Sequence, residues 1–321
     1  MSKCKRLTQD KRYQISAYLG MNFNKAEIAD KIGIDKSSVG REIERNSVDG
    51  IYDPEKAEKM ANNRQRNGHK RTEIIKEEVK EEIIEKLVVE NWSPEEIYGR
   101  SKRYGYKMAS TGTIYDFIYR DAAKGGLLYK GLRRGHKTKK PHDKCDNRGK
   151  LVNTKSIEFR PKEVLENIVF GHWEGDTIIG KGHKYAIVVL VERKTKLVLA
   201  KKIEFKTAEL TRKAIIEMLA PFSVLSLTLT VDNGKEFADH EIFASILGID
   251  VYFSHKGCPG ERGLCENTNS LLRQYLQKGS SFENVTDKDI QAIIGKLNSR
   301  PRKILGYASP AEALASMLDR W

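Results

Sequence analysis

Three acidic side chains in the carboxyl-terminal half of this 321-residue chain sit where packing alone would not put them. Asp176, in WEGDT, interrupts an apolar β-branched run, and Asp232, in TVDNGKEF, ends another. A carboxylate at such a place is costly unless it is solvated, paired or bound to a metal. Glu266 opens ENTNSLLRQYLQ, where Glu266, Asn269 and Arg273 share one helical face while Leu271, Leu272 and Tyr275 point largely the other way. Asp232 has a second reading, because Asp-Asn-Gly is also a hairpin-turn signature. Three carboxylates on two strands and a helix suit two Mg²⁺ ions about 4 Å apart, with Mn²⁺ as a substitute, one activating an attacking oxygen and the other stabilising the leaving oxygen. The chemistry would be in-line attack at a DNA phosphorus, first by water to free a 3′-hydroxyl and then by that hydroxyl on a second DNA. Arg273 would hold a phosphate near Glu266.

The elements that must position these groups follow from hydropathy patterning. HWEGDTIIG, HKYAIVVLVERKT and KLVLAKKIEF read as three consecutive antiparallel strands. An amphipathic helix over 207–221, a strand over 227–231, a helix over 240–247, a strand over 249–253 and the Glu266 helix come next. That order implies a mixed sheet with helices packed on it.

The amino-terminal third is helical. A helix capped by Thr8 precedes a second one that Asn24 and Glu27 open as a capping box and Gly33 ends, and a third begins near Asp35. Ala29, Gly33 and Val39 supply the small contact residue, turn glycine and β-branched plug of a helix-turn-helix. Its second helix offers Lys36, Ser37, Arg41 and Arg45 to phosphates or base edges. An apolar stripe over 72–91 (Ile74, Ile75, Val79, Ile83, Ile84, Leu87, Val88) predicts a packing helix. Beyond it, the Ser93 cap and the Ser110 segment resemble a second helix-turn-helix without the Ala/Gly/Val spacing of the first, and a small helical bundle without DNA contact is the equal alternative.

Charge separates these parts. The chain carries 58 Lys+Arg against 44 Asp+Glu, a formal net charge of +14. Residues 1–123 and 151–321 contribute +3 each, while 124–150 alone contribute +8. That Gly- and Lys-rich stretch reads as a basic connector whose Arg133, Arg134, Lys137, Lys139 and Lys140 follow a DNA backbone, against the plainer alternative of a solvated linker. No apolar run of membrane length and no signal peptide are seen, and four scattered cysteines do not make a secreted disulfide framework. A cytoplasmic location is the expectation. The absence of GxxxxGK[ST] disfavours an ATP-driven regulator.

HWEGDTIIG, TVDNGKEF, YFSH, ERG, ENTNSLLRQYLQKG and LNSRPRKILGYASPAEAL, preceded by LTQDKRYQI, EIADKIG, SSVGREIERN, WSPEEIYGR and TIYDFIYRD, together resemble the insertion-sequence-thirty family of bacterial transposases, in order over nearly the whole chain. The resemblance implies a multidomain protein: an α-helical helix-turn-helix DNA-binding region followed by an α/β ribonuclease-H-like, retroviral-integrase-like catalytic core. The corresponding limits are 1–50, a second helical domain over 51–123, a basic linker over 124–160 and the core over 161–321. It further implies a DDE recombinase in which Asp176, Asp232 and Glu266 take the acidic positions, with 33 residues between the last two, and Arg273 the basic position that follows. The implied partners are terminal inverted repeats and target DNA, within a homodimer or larger synaptic complex at the bacterial nucleoid.

Cys265, Ser270 and Gln277 depart from the family pattern, where Asn, Gly and Pro are usual. The stretch from Lys256 to Gly260 differs as well, and these changes together leave His255, Cys258 and Cys265 as a weak zinc-ligand set without a fourth member. Two rival functions stay open on the sequence: a DNA-binding regulator whose integrase-like half is a silent dimerisation platform, and a simple nuclease that cuts without joining.

Overall fold

Caps written into the sequence start the helices of the amino-terminal unit. The computed structural model describes residues 7–68, 75–133, 151–255 and 257–319, and the chain divides into two compact units, Met1–Ile74 and Ile75–Trp321. In the first, Thr8 caps α1 (Gln9–Gly20), the Asn24–Glu27 capping box opens α2 (Lys25–Ile32), and Asp35 caps α3 (Lys36–Asn46). Gly33 ends α2 at φ 64°, a left-handed conformation that glycine adopts without strain. A two-stranded ribbon, β1 (Ser47–Val48) and β2 (Ile51–Tyr52), leads to α4 (Pro54–Gly68). Ile15, Ile28, Ala29, Val39 and Ala57 form the core. Arg12 is buried and pairs with Glu42 (Nε–Oε1 2.7 Å) and with Glu58, which ties α4 to α1 and α3. The unit therefore runs past residue 50, where the sequence reading ends its first domain.

The second unit starts with α5 (Glu77–Ile84), extended by a π-helical turn, Glu85–Val89. Ile83 and Leu87 are buried while Ile84 and Val88 are exposed, so the buried stripe is narrower than the sequence suggests. One residue on from each buried position lies about 100° further round the helix, past the edge of the packed face. Capped by Ser93 and Ser110, α6 (Pro94–Tyr104) and α7 (Thr111–Ala123) pack through Ile97, Ile114 and Ile118.

After the short α8 (Glu163–Glu166) come β3 (His172–Ile179), β4 (Ala186–Glu192) and β5 (Val198–Ile203). These are followed by α9 (Ala208–Leu219), β6 (Thr228–Val231), α10 (His240–Leu247) and β7 (Asp250–Phe253). The chain closes with α11 (Gly263–Tyr275), α12 (Asp287–Ser299) and α13 (Pro310–Leu318). The sheet order is β5-β4-β3-β6-β7, with β4 antiparallel to both β3 and β5 and with β3, β6 and β7 parallel, the mixed sheet that the element order implies. Every residue of β4 is buried. Ala186, Val188 and Leu190 face one core with Trp173 and residues of α9 and α10, while Ile187, Val189 and Val191 face another with residues of α11 and α12. Period-two alternation thus builds two cores from one apolar run.

The helical segment is fastened to the sheet portion by buried charge. Arg300 is 1% exposed and donates to both oxygens of Glu96 (2.8–3.0 Å) and to Gln274 Oε1 (2.8 Å). Glu96 is also the capping-box acid of α6. Beside it, Arg100 reaches Glu312 (2.6 and 2.5 Å), whose carboxyl is pulled from 4.5 down to about 2, chiefly by those hydrogen bonds. The folded state binds this proton less readily than the unfolded chain, so the stabilisation is present above the ordinary value and is lost as pH falls through about 2. Glu312→Gln is expected to flatten the decline of unfolding free energy between about pH 5 and 2, measured by urea denaturation; an unaltered pH profile would show that the pair contributes nothing.

Candidate active site

The strand register brings two of the predicted acids together. β3 and β6 pair in parallel with His172 opposite Thr228 and Glu174 opposite Thr230. Continuing that offset sets Asp176 level with Asp232, the first residue beyond β6. Gly175 lies between Glu174 and Asp176, and a Cβ there would come within 3.0 Å of the Val231 side chain and 3.3 Å of that of Leu190, so any larger residue would push these side chains aside by a few tenths of an ångström. Period-two alternation turns Glu174, Asp176 and Ile178 to the face that α11 covers.

Each aspartate spends one oxygen locally. Asp176 Oδ1 accepts from the Thr177 amide (2.9 Å), and Asp232 Oδ1 accepts from the Gly234 amide (2.9 Å). Asp232-Asn233-Gly234 is therefore a turn, as its sequence signature says, but it opens no hairpin: a 3₁₀ turn and α10 intervene before β7, which runs parallel to β6. The two side chains share Arg262, whose Nη1 lies 3.4 Å from Asp176 Oδ1 and whose Nη2 lies 3.6 Å from Asp232 Oδ2. Asn269 donates to Asp176 Oδ2 at 2.6 Å. Burial pushes the Asp176 carboxyl up, Arg262 pulls it back, and the charge of Asp232 raises it further.

Glu174, which the sequence reading passes over, sets the position of α11. It is 1% exposed, pairs with Arg193, and accepts from the Cys265 amide at 3.0 Å. Cys265 is the third residue of α11, so this buried carboxylate satisfies one of the helix's free amino-terminal donors. The signal in the sequence was an acid two residues before Asp176, hence on the same face of the strand.

The third acid and its basic neighbour lie further out. Glu266 is exposed on α11, one turn before Asn269. Among the described residues no three His, Cys, Asp or Glu side chains gather closely enough to hold one ion. Arg273 lies about 10 Å along the helix axis from Glu266. It donates to the carbonyls of Ile179 (3.3 Å) and Leu276 (3.4 Å) and sits over the Phe282 ring, which differs from the expected phosphate contact beside Glu266. Desolvation lowers its affinity for a proton. A groove of about 560 Å³ runs from Thr177 past Asn269 and Arg273 to Lys181 and Lys278, giving it three cationic side chains.

The remaining expectations are distributed over the chain. Lys36, Ser37, Arg41 and Arg45 are all exposed on α3, with Arg41 Nη2 donating to Ser37 Oγ at 2.6 Å. Arg133 reaches α11, donating to Asn267 Oδ1 at 2.6 Å and to Ser270 Oγ at 3.4 Å. Arg134, Lys137, Lys139 and Lys140 lie outside the described residues. The zinc-ligand set is not assembled: Cys265 is fully buried, Cys258 is exposed, and the His255 ring is held by Glu261 at 2.7 Å.

Comparison with known proteins bears on the same region. Residues 166–259, a span holding both aspartates, match the integrase core domain family. The chain is 42% identical to the transposase for insertion sequence element IS4351 of Bacteroides fragilis, over 98% of this chain and 97% of that one. It is 30% identical to transposase InsI for insertion sequence element IS30A of Escherichia coli (strain K12), over 96% and 83% of the two chains. Among solved structures, the catalytic core domain of BIV integrase aligns with 47% of this chain and 97% of that chain, at 24% identity and a TM-score of 0.38.

Glu174→Ala leaves Arg193 unpaired in a buried setting and the α11 amide without its acceptor, and is expected to cost about 3 kcal/mol of stability. Glu174→Gln, which keeps an acceptor, should cost less. Amide exchange over 263–266 reads the helix start directly; protection unchanged in Glu174→Ala would mean that α11 is anchored by other contacts.

Proposed function

Because the chain belongs to the insertion-sequence-thirty family of transposases, DNA-processing enzymes that depend on divalent metal, we propose that Asp176, Asp232 and Glu266 form the acidic centre that cleaves DNA at the ends of an insertion sequence and joins it to target DNA. The observation that carries this reading is the Arg262 guanidinium shared by Asp176 and Asp232: a cation already stands between the carboxylates, and their oxygens are the hard donors that Mg²⁺ or Mn²⁺ takes. When bound, the metal would activate an attacking oxygen and stabilise the leaving one.

The protein's own groups do the positioning. Asn269 fixes the rotamer of Asp176 from α11, and Glu174 fixes the start of that helix. Glu266, exposed on the same helix, would be the third acid to hold the metal. Lys181, Arg273 and Lys278 along the groove accompany the phosphates of the strand being cut. In the amino-terminal unit, α2 and α3 act as a helix-turn-helix, with Lys36, Ser37, Arg41 and Arg45 on the terminal inverted repeats. Two element ends must be brought together before joining, so the active form is a homodimer or larger synaptic complex.

Supercoiled DNA carrying the element ends is expected to be nicked in Mg²⁺ or Mn²⁺ and then joined to a second DNA. Asp232→Asn should reduce both products to background while sparing binding. Nicking by Asp232→Asn at the wild-type rate would remove Asp232 from the centre, and cutting without any joining would leave a plain nuclease.

Replacing Lys36, Arg41 and Arg45 by Gln should flatten the salt dependence of binding to the inverted repeats, each lost phosphate contact lowering the log–log slope by about 0.9. An unchanged slope, read by fluorescence anisotropy over a salt series, would place the DNA elsewhere.

A further inference from the structure

Arg262 occupies an unusual place for a residue with no assigned role. It ends the 3₁₀ turn Pro259–Arg262 and caps α11, with its side chain only 14% exposed. Besides the two aspartates it donates to the Gly175 carbonyl through Nη1 (3.3 Å) and to Ser254 Oγ through Nε (3.3 Å). All of these partners are acceptors from the sheet: β3, the end of β6 and the residue after β7.

A guanidinium stays protonated at any pH the protein meets and has no lone pair to offer a metal. It therefore cannot join a metal ion at these oxygens; it can only compete with it. The distances of 3.4 and 3.6 Å are long for a bidentate arginine–carboxylate fork, so Arg262 balances the charge of the pair without locking onto either member. Its anchors at Gly175 and Ser254 are neutral acceptors that a phosphate oxygen would outmatch.

We propose that Arg262 is a built-in counter-ion of the aspartate pair, displaced when metal binds and taken up by a phosphate of the bound DNA, so that metal and DNA bind cooperatively. The proposal rests on the assignment of Asp176 and Asp232 to the acidic centre. The metal-free site stays assembled because Arg262 offsets one of its two negative charges, and it resists metal for the same reason. DNA lifts that resistance by giving the guanidinium a better partner, and linkage requires that metal strengthen DNA binding by the same factor.

The test is a Mn²⁺ titration of the full chain by calorimetry, with and without a pre-cleaved duplex of the element end, on wild type, Arg262→Gln and Arg262→Lys. Without DNA, Arg262→Gln is expected to bind Mn²⁺ about tenfold more tightly than wild type, with Arg262→Lys in between. With the duplex, wild type should gain most of that factor and Arg262→Gln little of it. In EDTA, Arg262→Gln should melt at a lower temperature than wild type and recover more of the difference on adding Mn²⁺, a response that a folded but merely structural variant would not give. Mn²⁺ affinity that is unchanged or weaker in a folded Arg262→Gln overturns the proposal, as does absence of Mn²⁺ binding in both proteins. A chain that shows the competition yet never nicks DNA would sink the transposase assignment of the acids and leave this proposal standing.

Discussion

Two carboxylates set level on neighbouring parallel strands repel each other, and here only about a quarter of either side chain reaches solvent: 24% for Asp176 and 25% for Asp232. The register that causes this is fixed by the cores on either side of the sheet. A slip of one residue in β3 would turn Trp173 out of its core and point Asp176 into the apolar layer that holds Phe237 and Phe243. The sheet cannot relieve the repulsion by moving, so relief must come from a cation. Arg262 supplies that cation between the two carboxylates.

The neighbouring acid Glu174 meets the same need in a different way. Two residues along β3, it is neutralised by Arg193 and by the Cys265 amide, both on elements that the fold holds in place. Asp176 instead faces Arg262, which sits at a helix start next to a glycine and a short 3₁₀ turn, and Asn269, which is neutral. One acid is held by a close ion pair and a helix amide, the other by a loop arginine at longer distances and by a neutral side chain. The departure at Cys265 fits this division: only its backbone amide touches Glu174, while its side chain packs, fully buried, with Leu271 and Leu272.

The sequence carried the elements and two of the acids plainly. Capping residues at Asn24, Asp35 and Ser93 marked helix starts, and the β-branched AIVVLV run before Glu192 marked a strand. Asp176 stood out because an acid inside a β-branched run has few structural excuses. Arg262 did not stand out, since an arginine in a Gly-rich loop reads as solvated until the loop is folded back over the sheet. Arg300 and Arg12 were hidden for a related reason. Their acids lie 204 and 30 residues away in sequence, so pattern alone gives no cue that these guanidiniums are buried. The narrow stripe on α5 shows the converse limit, where Ile84 and Val88 match the apolar pattern and still face solvent.

The distribution of positive charge acquires a direction once Arg133 is placed. It belongs to the stretch over 124–150 that carries +8, more than half of the whole chain's excess. Its guanidinium rests on Asn267 and Ser270 of α11, the helix that bears Glu266 between the buried Cys265 and Asn267. The described end of the basic run is thus fixed to the helix that carries the third acid. The Arg133 guanidinium rests on the same helix that supplies the Asn269 amide holding Asp176. Long-range attraction and local acidity, opposite in sign, are then joined through one helix whose position depends on the buried Glu174.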